Sequence, residues 1–515
     1  MYGPGERKGL TGMANDRLTG LDASFLHLED DTAHMHVAAV MTFEGPPPDH
    51  DEVVEGIRTR LHLVPRYRQK LAFVPFGQGR PRWVDDPHFN LRYHVRHTAL
   101  PEPGTEDQLR RLAGRVFSQR LDRDKPLWEM WVVEGLEGGE RFAVLSKTHH
   151  ALVDGVSGID IMSVLFDTKP EPDAPPPADE KRWLPGPTPS RAQLLAEALV
   201  ERATVPSEIV RGARALVRGP RRIAESALGS AAGVGSMVRA GLRPAPKTPY
   251  NEHIGPHRRF AWVRMQLADV KAIKNSLGGT VNDVMLATVA GALRRHLLRR
   301  GFDVTGVELK VMVPVSVRPQ EARGALGNQV AAMMAPLPVA IEEPVERLER
   351  ISDSMAHLKS GGQAVGAQVL TNLTGFAPPN IMSQAARVVA RQRMFNLVVT
   401  NVPGPQFPLY MMGRQLDGLF PMVPLAPNQA LGIAIMSYNG TINFGLVGDF
   451  DLMADLDDLA GDLHAALVEL AEAAGVELET AKRAGRRRKA ARSNGHKPGG
   501  RVGSASAVPA SGDEA

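Results

Sequence analysis

Between residues 169 and 189 the chain reads Lys169-Pro-Glu-Pro-Asp-Ala-Pro-Pro-Pro177 and then Pro185-Gly-Pro-Thr-Pro189. Proline fixes φ and removes a backbone donor, so neither a helix nor a strand runs through such a stretch. Whatever folds before it must close before it, and a first globular half is expected to end near residue 170. The chain is long enough for two cores: 515 residues, 43% apolar and 23% charged, is the composition of globular protein beyond the size of one ordinary domain.

From Arg191 to about Ala240, Leu, Ala, Val and Ile alternate with Arg and Glu, which predicts helices broken at Gly219-Pro220 and in the Gly-rich stretch 229–241. Arg211, Arg214, Arg218, Arg221 and Arg222 make this connection basic. It either rests on anionic lipid or is a solvated helical link between the two halves. The second half begins near Asn251. Phe260–Leu267 and Val307–Pro314 have strand character, and between them a helix is expected to start at Thr280, with apolar residues at 284, 285, 286, 289, 292, 293 and 297. The division expected is a flexible 1–15, a first domain 16–170, a Pro-rich and basic crossover 171–247, a second domain 248–480 and a basic disordered tail 481–515. The tail carries Arg486, Arg487, Arg488, Lys489, Arg492 and Lys497 but no aromatic platforms or recognisable nucleic-acid module, so no specific nucleic acid is expected as a partner.

The chemistry concentrates at residues 142–155, Phe-Ala-Val-Leu-Ser-Lys-Thr-His149-His150-Ala-Leu-Val-Asp154-Gly155. An apolar strand runs into two histidines, and Val156–Phe166 has helical spacing, so the pair sits at a strand-to-helix junction. Neighbouring side chains on an extended segment point to opposite sides, so the two histidines are expected to have different roles. Gly155 opens backbone angles closed to other residues, and Asp154 can accept from the backbone or from an arginine. A neutral imidazole so fixed can take a proton from an alcohol attacking a carbonyl. Two other readings remain: ordinary loop histidines, and metal ligands. The metal reading lacks partners, since there is no His-Glu-x-x-His helix and no cysteine. The absence of cysteine and of any Gly-x-Ser-x-Gly turn also leaves a nucleophile-elbow hydrolase without support.

The His149-His150-Ala-Leu-Val-Asp154-Gly155 run resembles the HHxxxDG motif of coenzyme A-dependent acyltransferases of the chloramphenicol acetyltransferase-like fold. The flanking sequence resembles the bacterial wax ester synthase/diacylglycerol acyltransferase branch. Leu21-Asp22-Ala-Ser-Phe25-Leu and His34-Met35-His36-Val37 are similar to that family's opening strand region, and Pro126-Leu127-Trp128-Glu129 to its PLW motif. Asn282-Asp283-Val-Met-Leu-Ala, Pro314-Val-Ser316-Val-Arg318, Gly327-Asn328, Thr400-Asn401-Val402-Pro403-Gly404-Pro405 and Ser437-Tyr438-Asn439-Gly440 follow in the family's order over roughly residues 16–475. The resemblance implies an α/β fold of two sandwich-like domains with a substrate tunnel between them. Such a tunnel suits a long acyl thioester and a hydrophobic alcohol meeting away from water.

By the same resemblance His150 is the general base and His149 a packed, supporting residue. Asp154 is structural, with Arg318 a candidate partner, and Gly155 shapes the turn. Asn282 is an oxyanion donor or, in a plainer reading, a helix N-cap. Asp283 reads as a first-turn acid, Pro126 and Trp128 as packing, and Asn401 with Pro403-Gly404-Pro405 as a turn. The reaction implied is transfer of an acyl group from acyl-CoA to diacylglycerol without an acyl-enzyme. The alternatives are a long-chain alcohol as acceptor, a carrier-bound or polyketide-type substrate, or a lipid-binding protein with a silent site. Acyl-CoA is a co-substrate, and no cofactor or metal is expected. Residues 1–12 lack the apolar core of a secretory leader, Met13 is a second candidate start, and no run of about 18 uncharged apolar residues occurs. A cytoplasmic protein touching membrane or lipid-droplet surfaces peripherally is the expectation.

Overall fold

The computed structural model describes residues 17–152, 165–171, 183–200, 244–316, 330–360 and 393–479. Asp154, Gly155, Arg318, the helix expected after the motif, Gly327-Asn328, the arginines of the basic connection and the C-terminal tail lie outside these residues.

The first sheet is built from β1 (His36–Glu44), β4 (Val95–Ala99), β5 (Trp128–Leu136) and β6 (Arg141–His149), while β2 (Gln69–Ala72) and β3 (Arg82–Asp85) form a separate hairpin. β6 lies in the middle, antiparallel to β1 with His36 opposite His149 and antiparallel to β5 with Trp128 opposite Thr148. Its Phe-Ala-Val-Leu run is buried on both faces, as a continuous apolar strand in a covered sheet must be. Helix α1 (Gly20–Leu28) precedes β1, with the Thr19 hydroxyl accepting from the Asp22 N–H at 3.1 Å. The segment Leu21–Leu26, expected in a strand region, is therefore helical, because Thr19 caps it and Glu29 ends it in extended conformation. Only His34–Val37 leads into a strand. Helix α2 (His50–Arg60) follows β1, and helix α3 (Glu106–Phe117) enters through a capping box between Thr105 and Gln108.

The second sheet has the order β7-β14-β13-β10-β8-β9, with β7 (Arg258–Gln266), β8 (Leu309–Ser316), β9 (Val330–Leu337), β10 (Leu397–Pro403), β13 (Leu431–Tyr438) and β14 (Thr441–Asp449). Asn439 and Gly440, both at positive φ, make the tight turn between β13 and β14. Helices α4 (Leu267–Leu277), α5 (Val281–Arg299), α6 (Pro344–Ser360) and α7 (Leu456–Ala473) cover the sheet. In α5 every apolar position read from the sequence, 284 through 297, is buried. β11 (Tyr410–Met411) and β12 (Arg414–Met422) leave this half and complete the first sheet, with β12 antiparallel to β1.

That exchange locks the halves together. Asp417 on β12 accepts from Arg264 on β7 at 2.8 and 3.0 Å and is paired with Arg141 on β6. Gly445 is needed where the sheets touch: an added Cβ would lie 1.8 Å from the Pro421 carbonyl oxygen. Gly114 similarly lets α3 approach β7, since a Cβ there would lie 2.8 Å from the Arg258 carbonyl oxygen.

Candidate active site

The end of β6 presents two different environments. His149 lies on the face shared with Lys147 and, across the ladder, His36. Its backbone N–H donates to the Leu127 carbonyl at 2.9 Å, so the Pro126-Leu127-Trp128 segment holds the strand end directly. Its Nδ1 accepts the Ala151 N–H at 3.0 Å, which places the ring proton on Nε2, and Nε2 donates to Glu29 at 2.9 Å. The same carboxylate accepts from Arg123 at 2.7 Å and Arg120 at 3.3 Å. Burial would raise the Glu29 carboxyl, but His149 and Arg123 outweigh it and hold it at about 2. Both nitrogens of His149 are committed, and the ring is fully enclosed.

Lys147 and His36 extend this polar floor. Lys147 Nζ, with no exposed surface, donates to the Val116 and Gln119 carbonyls at 2.9 and 2.8 Å and pairs with Glu129 at 2.5 Å. His36 Nε2 donates to the Phe117 carbonyl at 2.8 Å, and burial holds this ring neutral, far below its ordinary pKa. His34 Nε2 donates to the Asp31 carbonyl at 3.2 Å.

His150, one residue on, is half-buried and faces the other side. Its backbone N–H donates to the Met35 carbonyl at 2.8 Å, and its ring stacks on Phe25 with centroids 3.9 Å apart and planes 18° from parallel. Its Nδ1 is buried with no hydrogen-bond partner. Burial pushes the imidazole down to about 4; its own backbone carbonyl offsets this in part, and the neighbouring His149 adds to it. The ring is thus neutral at pH 7, with its orientation set by Phe25 and the backbone rather than by hydrogen bonds.

One loop serves both histidines. Residues 29–35 supply Glu29 to His149 and the Met35 carbonyl to His150, and Asp30 ties the turn together by accepting from the Thr32 and Ala33 N–H groups at 2.8 Å. Arg258 of β7, buried, donates to the Thr32 carbonyl and to the Gly255 carbonyl at 2.7 Å, so the second half clamps the loop that positions the pair.

Asn282 stands at the start of α5, where Thr280 is the N-cap and Asp283 closes the capping box by accepting the Thr280 N–H at 2.8 Å. Asn282 is therefore not the cap, and Asp283 does more than favour the helix dipole. The Asn282 side-chain oxygen accepts from Asn401 Nδ2 at 3.0 Å, leaving its own NH2 group for another acceptor. Asn401 is not in a turn: it lies within β10, paired with Ile435, and the turn follows at Gly404, whose N–H donates to Ser437 Oγ at 3.3 Å. Among the described residues no hydrogen bond joins Asn282 to His150. Trp128 is buried, donates to the Tyr67 carbonyl at 2.8 Å and stacks on His94, as a packing residue should.

Glu29, Arg120, Arg123 and Arg258 escaped the sequence reading. Each sits far from the motif along the chain, and only the folded loop between α1 and β1 brings Glu29 to His149. Phe25 and Met35 fall inside runs already singled out, but nothing in those runs shows that one supplies a ring and the other a carbonyl.

The chain matches the family model described as the wax ester synthase/diacylglycerol acyltransferase catalytic domain over residues 18–285, and the WS/DGAT C-terminal domain over residues 326–471. It is 34% identical over 459 residues to a protein of Mycobacterium tuberculosis (strain ATCC 25618 / H37Rv) named as a probable diacylglycerol O-acyltransferase, covering 88% of this chain and 96% of that one. A second protein of that strain, of the same description, is 34% identical over 476 residues, with 88% and 98% covered. Among solved structures, the wax ester synthase/diacylglycerol acyltransferase from Marinobacter aquaeolei VT8 is 28% identical with a TM-score of 0.63, covering 89% of this chain and all of that one. The starter condensation domain of rhizomide synthetase, 12% identical with a TM-score of 0.54, shares the fold.

Proposed function

The chain belongs to the wax ester synthase/diacylglycerol acyltransferase family and is an acyltransferase, and from that premise we propose that it transfers a long-chain acyl group from acyl-CoA to the free hydroxyl of diacylglycerol, with His150 as general base. The observation that carries the reading is the contrast at the end of β6. His149 has both ring nitrogens bonded, whereas His150 is neutral and held in place by stacking, with its Nδ1 enclosed beside its own backbone carbonyl and no hydrogen bond from another described residue to Nε2.

The acceptor O–H gives its proton to His150 as its oxygen bonds to the thioester carbon. With the ring proton on Nδ1, beside the residue's own carbonyl, Nε2 is the basic atom. The carbonyl oxygen becomes an oxyanion, to which the Asn282 NH2 group is the proposed donor, its amide held in orientation by Asn401. Collapse breaks the carbon–sulfur bond, and the departing thiolate takes the proton back from the imidazolium. No acyl-enzyme forms, and no metal or cofactor enters a step. Asp154, paired with an arginine for which Arg318 is the candidate, keeps its proposed role of holding the turn after the histidines.

A fatty alcohol is the second acceptor to consider, because the Marinobacter relative is named as both a wax ester synthase and a diacylglycerol acyltransferase. Incubating purified protein with labelled palmitoyl-CoA and either diolein or hexadecanol tests both. Triacylglycerol as the main product supports the first reading, a dominant wax ester selects the second, and no neutral lipid with any acceptor refutes both. No helix among the described residues is long and apolar enough to cross a membrane, so contact with acceptor lipid is proposed to be peripheral.

A further inference from the structure

Residues 56–84 contain seven Lys or Arg and no Asp or Glu. Their distal end is the β2–β3 hairpin loop, which exposes Phe73 and, at 86%, Phe76. Phe76 adopts φ 57°, ψ 17°, a left-handed conformation that a loop facing only water would fill with glycine or asparagine. The helix at 191–200 lies against the same loop: an added Cβ at Gly79 would lie 2.9 Å from the Ala198 Cβ, and the neighbouring Leu199 and Val200 are exposed. Phe73 and Phe76 thus stand out of a basic segment, beside Leu199 and Val200 of the neighbouring helix, and acids flank that segment at Glu55, Asp85 and Asp86. Four of the seven cations are paired within the protein, Arg58 with Glu55, Arg60 with Asp167, Lys70 with Asp86 and Arg82 with Glu197, and the segment keeps a positive excess over the acids that flank it.

Apolar side chains presented within positive charge match the lipid–water interface of an anionic membrane, where the rings enter the headgroup region and the cations meet phosphates. The hairpin is also anchored to the catalytic half: the carbonyl of Tyr67, just before β2, accepts from Trp128 at the start of β5, next to the residue whose carbonyl holds His149. We propose that the β2–β3 hairpin, with Phe73 and Phe76 inserted and its basic segment against phosphates, docks this protein on anionic phospholipid surfaces. The inference rests on the reading that the acceptor is a water-insoluble lipid.

The test is sedimentation of the full-length protein with vesicles of phosphatidylcholine alone or with about 30% phosphatidylglycerol. The anionic vesicles should bind it at least about tenfold better, and less so as salt rises. The double variant Phe73→Ser/Phe76→Ser should lose about tenfold in partitioning. Phe407→Ser, at an exposed ring on a different loop, should bind as the parent does. Equal binding by the double variant, equal loss in Phe407→Ser, or no binding by the parent overturns the proposal. So does a concentration-dependent dimer abolished by the double variant in a protein indifferent to vesicles, which would assign the patch to a second copy. Turnover separates this idea from the functional one. With dissolved dihexanoylglycerol the double variant and the parent should be equal, whereas with diolein in anionic vesicles the variant should be slower. Hairpin-dependent vesicle binding in a protein that transfers no acyl group would refute the acyltransfer reading and leave this one standing.

Discussion

The two sides of the β6 end differ more than two adjacent residues usually do. On one side lie two buried polar clusters, His149 with Glu29, Arg120 and Arg123, and Lys147 with Glu129 and the Val116 and Gln119 carbonyls. On the other, His150 has a phenyl ring beneath it and a nitrogen without a partner. A hydrogen-bonded, ion-paired cluster confers rigidity, whereas a neutral ring whose Nε2 is not tied to another described residue is available for proton transfer. The comparison breaks most sharply at His150→Ala. The expected result is a fall in kcat of about 100- to 10,000-fold with a folded protein whose melting temperature drops by only a few degrees, since the ring contributes stacking but no hydrogen bond. An active His150→Ala protein would move the base elsewhere, and a loss confined to His149→Ala would exchange the two roles.

The scaffold side should answer in stability. Glu29→Ala leaves His149 and two arginines around an enclosed space without their anion, and a loss of about 3 kcal/mol is expected, with a melting temperature lowered by several degrees. Turnover should fall as well, because the 29–35 loop also carries the carbonyl that holds the His150 backbone. Glu29→Gln keeps an acceptor for His149 and should recover part of both. Denaturant titration and kcat on the same preparations check this, and a Glu29→Ala protein as stable as the parent would dissolve the distinction between a structural and a reactive face.

Much of this contrast is legible in the chain itself, for an identifiable reason. Alternation along a strand places adjacent side chains on opposite faces, so two roles for His149 and His150 follow from spacing. The burial of α5 follows from its 3.6-residue period, and the strand character of β6 and β7 from their apolar runs. Non-local pairings are not legible. The reach of Glu29 to His149 depends on the loop between α1 and β1, and the transfer of β12 into the first sheet on a register no local pattern encodes. Asn401 reads as a turn residue because a Pro-Gly-Pro run follows it, yet the strand continues through it to Pro403 and the turn begins at Gly404. Thr280 takes the cap from Asn282 because its hydroxyl and Asp283 satisfy each other three residues apart.

Asn282 and Asn401 sharpen the comparison from the second half. If the Asn282 amide donates to the oxyanion, Asn282→Ala should cost about 100-fold in kcat, near 3 kcal/mol, with little change in KM. Asn401→Ala should cost about tenfold, because it removes only the hydrogen bond that orients that amide. The double variant should be no worse than Asn282→Ala alone if the two act as a unit. Additive losses would show that Asn401 acts on its own, and unaffected turnover in both would return the pair to a packing role.

The smallest expected effect is a flat pH profile, and it distinguishes the environments without a mutation. Burial holds the His150 ring at about 4, so the basic form dominates from pH 8 down to about 5, and kcat should change by less than about twofold over that range. An ordinary histidine would lose half its basic form near pH 6.5. Stability follows the same sign on both faces. His150, lowered on folding, contributes stability that is present above its unfolded pKa near 6.5 and is lost as pH falls toward 4. Glu29, lowered to about 2, contributes stability present above about 4.5 and lost below it. Measuring kcat and melting temperature at each pH therefore separates titration from unfolding. A rate halved near pH 6.5 in a fully folded protein would mean that the ring stands in water, and the stacked, desolvated base would have to be abandoned.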